Sequence, residues 1–252
     1  MWQDKKVSVI LPTYNEKDSI REAVEELFAT GYVDEVIVVN NNAAEGTSAE
    51  VAQTAAREVM EPRQGYGRAI RTGFQESTGD LLIISEPDGT FCGRDVKKLL
   101  TYSEDFEYVM GTRTTQCMIW KGANMGFALK WGNWAVAKVA EVLFNGTILT
   151  DCGCTMRLIT RSLYESIRQG FFTDQNAFGF EMTLHVMKRG IRYIEIPVNY
   201  RKRVGTSAVT GSLRKTVALA AKMLLLIVRF RFGSAGKPAV PDGRPASRNN
   251  SP

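Results

Sequence analysis

Glu86 and Asp88 stand directly after the apolar run Leu81-Leu82-Ile83-Ile84-Ser85, in the segment Glu86-Pro87-Asp88-Gly89-Thr90. Carboxylates at the end of a buried strand bring negative charge to the rim of a sheet, where the ligands of open α/β sheets bind. Hard divalent cations such as Mg2+ or Mn2+ prefer oxygen donors and often join a few carboxylates to substrate phosphates. The pentapeptide therefore admits a metal–diphosphate site, with an ordinary acidic turn as an equal alternative. Two more polar clusters follow apolar runs: Pro12-Thr13-Tyr14-Asn15-Glu16 after residues 7–11, and Asn40-Asn41-Asn42 after residues 36–39. Together the three describe one crevice, with hydrogen-bonding groups for a base and ribose and carboxylates for a metal. Arg63-Gln64-Gly65-Tyr66-Gly67-Arg68-Ala69 is a glycine-containing loop entering a helix. It lacks the third glycine of a dinucleotide fingerprint, and the chain holds no P-loop.

These clusters need strands and helices to position them. Residues 7–11, 36–39 and 81–85 are continuous apolar runs that read as buried strands, and 108–110 and 193–198 read likewise. Helical spacing covers residues 18–30, about 47–57, 66–76, 95–103, 124–144, 178–189 and 212–232, and residues 151–159 look strand-like. Fully apolar strands alternating with helices predict an α/β fold with a mostly parallel sheet covered on both faces.

The chain has 252 residues, 44% hydrophobic and 23% charged, with a net charge of +5. That is ample for a sizeable core. Arg201, Lys202, Arg203, Arg214, Lys215, Lys222, Arg229 and Arg231 gather basic charge near the C-terminus. They point to an anionic partner, a phosphate or a membrane surface rather than a nucleic acid. Cys92, Cys117, Cys152 and Cys154 have no disulfide-framework spacing and suit a reduced, cytosolic setting. The single histidine, His185, follows Glu181 by one helical turn and reads as a packed helix residue rather than a base. Residues 2–6 do not open a secretory signal, and no run reaches the roughly 20 apolar residues that span a bilayer. The tail from Gly233 is rich in Gly, Pro, Ser and Asn and is expected to be disordered.

At residues 7–207 the ordered motifs resemble a family 2 glycosyltransferase of the GT-A, Rossmann-like fold, within the dolichyl-phosphate mannose synthase and polyprenyl-phosphate glycosyltransferase group. The resemblance is carried by residues 12–16, Val38-Val39-Asn40-Asn41-Asn42, Gly65-Tyr66-Gly67-Arg68-Ala69, Gly79-Asp80, Glu86-Pro87-Asp88 and Gly111-Thr112-Arg113. It continues through residues 151–157, Phe178-Gly179-Phe180-Glu181, Glu195-Ile196-Pro197-Val198 and Arg203-Val204-Gly205-Thr206-Ser207. It implies a glycosyltransferase domain over 1–207, a helical segment over 208–232 and the tail over 233–252. Pro12, Tyr14, Glu16, Asn40, Asn42, Gly67 and Arg68 would bind the nucleotide-diphosphate sugar. Glu86 and Asp88 would match an Asp-x-Asp motif and hold Mg2+ or Mn2+, with Asp88 the surer ligand. Arg113, with Lys130 as a second position, would hold an acceptor phosphate, and Arg201 and Arg203 would sit on a mobile loop over the diphosphate. The family usually has Asp where Asn40 stands, and Glu86 replaces its first Asp.

The implied reaction is inverting transfer from a UDP- or GDP-sugar to a polyprenyl or dolichyl phosphate at the cytoplasmic membrane face. A lipid phosphate is already an anion and needs no general base. A glycan hydroxyl acceptor would need one, for which Asp151 is the candidate. A non-catalytic nucleotide-sugar-binding module is a third alternative. Leu213, Val217, Ala220, Ala221, Leu224 and Val228 form an apolar helix face flanked by basic residues. It could pack on the domain, pair two copies into a homo-oligomer, or rest on anionic lipid. Trp120, Trp131 and Trp134 are expected by default in the core, with an acceptor groove or lipid interface as alternatives.

Overall fold

The structure, a computed structural model, describes residues 1–123, 127–205 and 213–233, without the side chains of residues 127–129 and 213–216. Thr206, Ser207, residues 208–212, the first residues of the helix expected from 124, and the tail beyond 233 lie outside the described residues.

Seven strands form one sheet in the order β3-β2-β1-β4-β6-β5-β7. They are β1 (Val7–Thr13), β2 (Glu35–Asn40), β3 (Arg57–Met60), β4 (Leu81–Ile84), β5 (Tyr108–Thr112), β6 (Arg157–Thr160) and β7 (Tyr193–Pro197). All neighbours pair in parallel except β6, which runs antiparallel to both β4 and β5. In the central β1, Val7, Val9 and Leu11 enter one buried cluster while Ile10 enters the other. Both faces are therefore covered, and this explains why the strand reads as an unbroken apolar run.

One face carries α1 (Ile20–Phe28) and α4 (Val96–Tyr102); the other carries α3 (Tyr66–Glu76), α5 (Phe127–Phe144), α6 (Arg161–Ile167), α7 (Phe178–Lys188) and α8 (Leu213–Phe232). Short α2 spans Thr47–Val51. Gly73 brings α3 close to the sheet: a Cβ there would meet Ile10 Cγ2 at 2.5 Å and Val39 Cγ2 at 3.0 Å. The chain passes from β1 to β2 and β3 on one side and then crosses to β4 on the other. This reversal opens a crevice at the C-terminal ends of β1 and β4, the expected ligand position in such sheets.

Four expectations change. The helix expected over 47–57 stops at Val51, and Arg57–Met60 forms the edge strand β3. Its half-exposed Arg-Glu-Val-Met sequence lacks the apolar continuity of the inner strands. The strand expected over 151–159 shortens to β6, because residues 151–156 form a loop on the site. α6 went unanticipated, since Arg161-Ser162-Leu163-Tyr164-Glu165 has few apolar positions; Thr160 caps it by accepting from Leu163 N at 3.3 Å. The three tryptophans are not core residues: Trp120, Trp131 and Trp134 are 47%, 48% and 39% exposed.

Candidate active site

β4 delivers the acidic turn to the crevice. Gly89 has φ +77°, a left-handed conformation that side chains resist, and it lets the chain fold back after Asp88. Asp88 Oδ1 accepts from Thr90 N at 2.8 Å and Thr90 Oγ1 at 2.5 Å. The segment after β7 straps the turn down: Arg201 N donates to Thr90 O and Val204 N to Asp88 O, both at 2.8 Å. Arg201 adds bonds to Gly89 O at 3.0 Å, Phe91 O at 2.6 Å and the Glu26 carboxylate at 2.7 Å. Arg201 thus ties the turn to α1 and does not reach the cavity wall.

Arg203 does. Its guanidinium lies 3.5 Å from Glu86 Oε2 and directly against Asp88 Oδ2. Asp88 is almost fully buried, and the Arg203 guanidinium is the group that meets its Oδ2. Burial and then the Asp88 charge push Glu86 up to about 8, with Arg203 opposing them. Two crowded oxygen donors, held together only with a cationic guanidinium between them and the cavity, fit a hard divalent cation. No third histidine, cysteine or carboxylate among the described residues joins them.

The crevice opens into a cavity of about 450 Å³, of a size ordinary for a ligand site. Of the residues singled out from the sequence, Pro12, Tyr14, Glu16, Glu86, Arg113 and Arg203 line it. Glu16 shapes its own loop, accepting from Tyr14 N at 2.7 Å and Asn15 N at 2.9 Å. Asp88 sits behind Arg203. Arg113 is bidentate to buried Asp151, at 2.8 and 2.9 Å. Burial disfavours the Asp151 anion, but the Arg113 charge and hydrogen bonds outweigh it and hold the carboxyl below its usual range. Asp151 is therefore the counter-ion of Arg113 rather than a poised base, which needs a raised pKa.

The remaining candidates stand off the wall. Asn40 bonds Glu58 at 2.9 Å and Ala43 N at 2.8 Å, while Asn42 bonds Pro62 O at 3.1 Å. It is Asn41 that lines the cavity, accepting from Gly65 N at 2.8 Å. Gly67 serves helix packing, since a Cβ there would lie 2.5 Å from Phe178 Cβ. Arg68 pairs with Asp174, and half-buried Lys130 on α5 is not in the wall. Tyr66, Thr155 and Arg157 complete the inner wall, and Val136, Leu219 and Met223 from α5 and α8 give it an apolar side. The sequence signal for Tyr66, Thr155 and Arg157 was their place inside the glycine-loop and 151–157 motifs; their common destination was invisible because β6 reverses direction.

The sequence matches the family described as "Glycosyl transferase family 2" over residues 8–168. The chain belongs to that family: it is a glycosyltransferase of the GT-A fold. It is 28% identical over 219 residues to an uncharacterised glycosyltransferase of Mycobacterium tuberculosis, covering 84% of this chain and 93% of that one. It is 27% identical over 203 residues to a dolichyl-phosphate hexose transferase of Haloferax volcanii, covering 79% and 84%. Among solved structures, glucosyl-3-phosphoglycerate synthase from Mycobacterium tuberculosis, in complex with Mn2+, UDP and glucosyl-3-phosphoglycerate, superposes with a TM-score of 0.69. That match has 16% identity and covers 90% of this chain and 80% of that one, a likeness of fold.

Proposed function

We propose that this glycosyltransferase moves a sugar from a UDP- or GDP-sugar to a polyprenyl phosphate, with inversion, using Mg2+ or Mn2+ at the cytoplasmic face of the membrane. The observation that carries the proposal is one cavity with a carboxylate pair at its rim, a neutralised Arg113 in its wall and an apolar side made by α5 and α8. The similarity to a dolichyl-phosphate hexose transferase supports the acceptor class, and the Mn2+ and UDP of the superposed synthase support the donor class.

Glu86 and Asp88 would hold the cation, with diphosphate and solvent oxygens completing its shell. Bound there, the metal would supply the positive charge that stabilises a departing nucleoside diphosphate. Arg203 now faces both acidic groups; were a cation held there, it would be free to pair with the diphosphate instead. Arg113 has its charge secured by Asp151 and its guanidinium over the Tyr200 ring, 5.1 Å from the centroid, so it can orient an acceptor phosphate. A phosphate oxygen attacks as an anion, and no residue has to remove a proton. The hydroxyl-acceptor alternative finds no base in Asp151, which Arg113 already occupies.

α8 supports a membrane location. Its inner side, Met223, Leu226, Ile227 and Phe230, joins the core. The face expected to be apolar is the outer one: Val217, Leu224 and Val228 are 60%, 40% and 51% exposed, beside exposed Lys222, Arg229 and Arg231. No described helix is long and apolar enough to cross a bilayer. Apolar and cationic side chains on one surface suit peripheral contact with anionic lipid.

The test is transfer from a panel of UDP- and GDP-sugars to a short-chain polyprenyl phosphate with Mn2+. Wild-type protein is expected to give product that EDTA suppresses, and Asp88→Asn to lose at least ~100-fold in turnover with unchanged circular dichroism. Near-normal turnover by Asp88→Asn would rule out the metal role.

A further inference from the structure

Two hydroxyls in the cavity wall, Tyr66 Oη and Thr155 Oγ1, are buried, and within the chain neither meets a hydrogen-bonding group other than the hydroxyl of the other. They come from separate elements. Tyr66 opens α3, and its loop is fixed by the bond from Gly65 N to Asn41 Oδ1 at 2.8 Å. Thr155 lies in the loop before β6, where the buried Arg157 guanidinium grips the chain. Arg157 donates to the carbonyl of Cys154, to that of Gly179 at the start of α7, and to Tyr108 Oη at 2.9 Å. These bonds fix the backbone on which each hydroxyl is carried.

One bond between two hydroxyls leaves a donor and several lone pairs unused, and buried polar capacity left unmet costs about 1–3 kcal/mol. The position of this pair is specific. Tyr66 and Thr155 are near enough to act on each other, and the Tyr66 phenol also feels the charges of Glu86, Arg157 and Asp88. Burial first, then the Glu86 charge, holds that phenol protonated, so it stays a donor. The hydroxyl pair therefore shares one cavity wall with Glu86 and Arg157. In a nucleotide sugar the hexose is joined directly to the distal phosphate, so a diphosphate held at the rim places the ring against this stretch of wall.

We infer that Tyr66 and Thr155 form the subsite that reads the hydroxyl groups of the donor sugar. This inference rests on the proposed donor chemistry. Both side chains can donate and accept, so they suit a ring hydroxyl and reject a deoxygenated or apolar substituent at the same place. A site built to hydrogen-bond a hydroxyl discriminates strongly, because its own buried groups are left unpaired by the wrong ligand. Tyr66 and Thr155 thus determine which sugar is taken, while Glu86, Asp88 and Arg203 determine that a diphosphate is taken.

Calorimetric titration with Mn2+ separates these roles, with UDP, UDP-glucose, GDP and GDP-mannose as probes. For the nucleotide that wild-type protein binds, Tyr66→Phe and Thr155→Val are each expected to weaken the nucleotide sugar by about tenfold, one hydrogen bond's worth, and to leave the free diphosphate within about twofold. Thr155→Ser, which keeps the hydroxyl, is expected to retain the wild-type ratio, and melting temperatures check that each variant folds. An unchanged ratio in both Tyr66→Phe and Thr155→Val overturns the subsite alone. Equal weakening of diphosphate and nucleotide sugar, or loss in Thr155→Ser as in Thr155→Val, overturns it too, by reducing the effect to structure. Wild-type protein that binds none of the four probes overturns both the subsite and the donor chemistry beneath it.

Discussion

Arg113 and Asp151 form a buried bidentate pair, and the energetics of such pairs give the Asp151 assignment a direct check. Removing one partner leaves an uncompensated buried charge, which costs roughly 3–5 kcal/mol. Asp151→Asn is accordingly expected to lower the unfolding free energy from urea titration by an amount in that range; a variant as stable as wild type but inactive would restore Asp151 as a base. His185 offers a second check, because it is the only histidine in the chain. It packs edge-on against Phe171 and Phe230, and burial, followed by the Arg189 charge, pushes it down to about 4 from an ordinary 6.5. A depressed histidine stabilises the fold fully above pH 6.5, and that contribution is lost as pH falls toward 4, by up to about 3 kcal/mol. Its ring proton resonances are expected to show no titration between pH 8 and 5; a midpoint near 6.5 would contradict the packing. The same burial explains why the lone histidine takes no part in the proposed chemistry.

Among the elements, α3 is the one whose position the site depends on most, since it presents Tyr66 and its glycines set its distance from β1. Gly73→Ala would drive a methyl into Ile10 and Val39, and overpacking of this kind costs about 1–3 kcal/mol. The expected result is a lower denaturation midpoint together with weaker nucleotide-sugar binding, because Tyr66 moves with the helix. Elements with strong periodicity are legible in the sequence: α3 at 66–76 and the strands β1, β2 and β4 are found where the apolar spacing puts them. β3 and α6 were not, because one is an edge strand with half-exposed side chains and the other a polar helix held by its cap and neighbours. α8 shows a subtler limit. Its sequence carries two apolar faces, and periodicity alone picked the one that faces out.

At the scale of the molecule, an open α/β sheet carries the cavity at its rim, and the apolar side of that cavity runs toward an exposed apolar and basic surface. If that surface meets lipid, vesicles containing anionic phospholipid should sediment the wild-type chain, more weakly as salt rises. Leu225→Glu combined with Val228→Glu should abolish sedimentation while leaving the melting temperature and nucleotide binding intact, since both residues are solvent-facing, at 69% and 51% exposure. Loss of nucleotide binding in that variant would show instead that the surface belongs to the fold.

The amino-acid order by itself determined the alternation of buried strands and helices, the acidic turn at the end of β4 and the family, because these are local: each is written in consecutive residues and in the 2- and 3.6-residue periods of strand and helix. Tertiary structure alone decided which polar residues share a wall. The crossing from β3 to β4 and the reversal at β6 bring Asn41, Tyr66, Thr155 and Arg157 together, remove Asn40 and Arg68 from the cavity, and give Asp151 to Arg113. Such choices depend on which side of a strand or helix turns inward once every neighbour is packed, and a one-residue shift in register would reverse them.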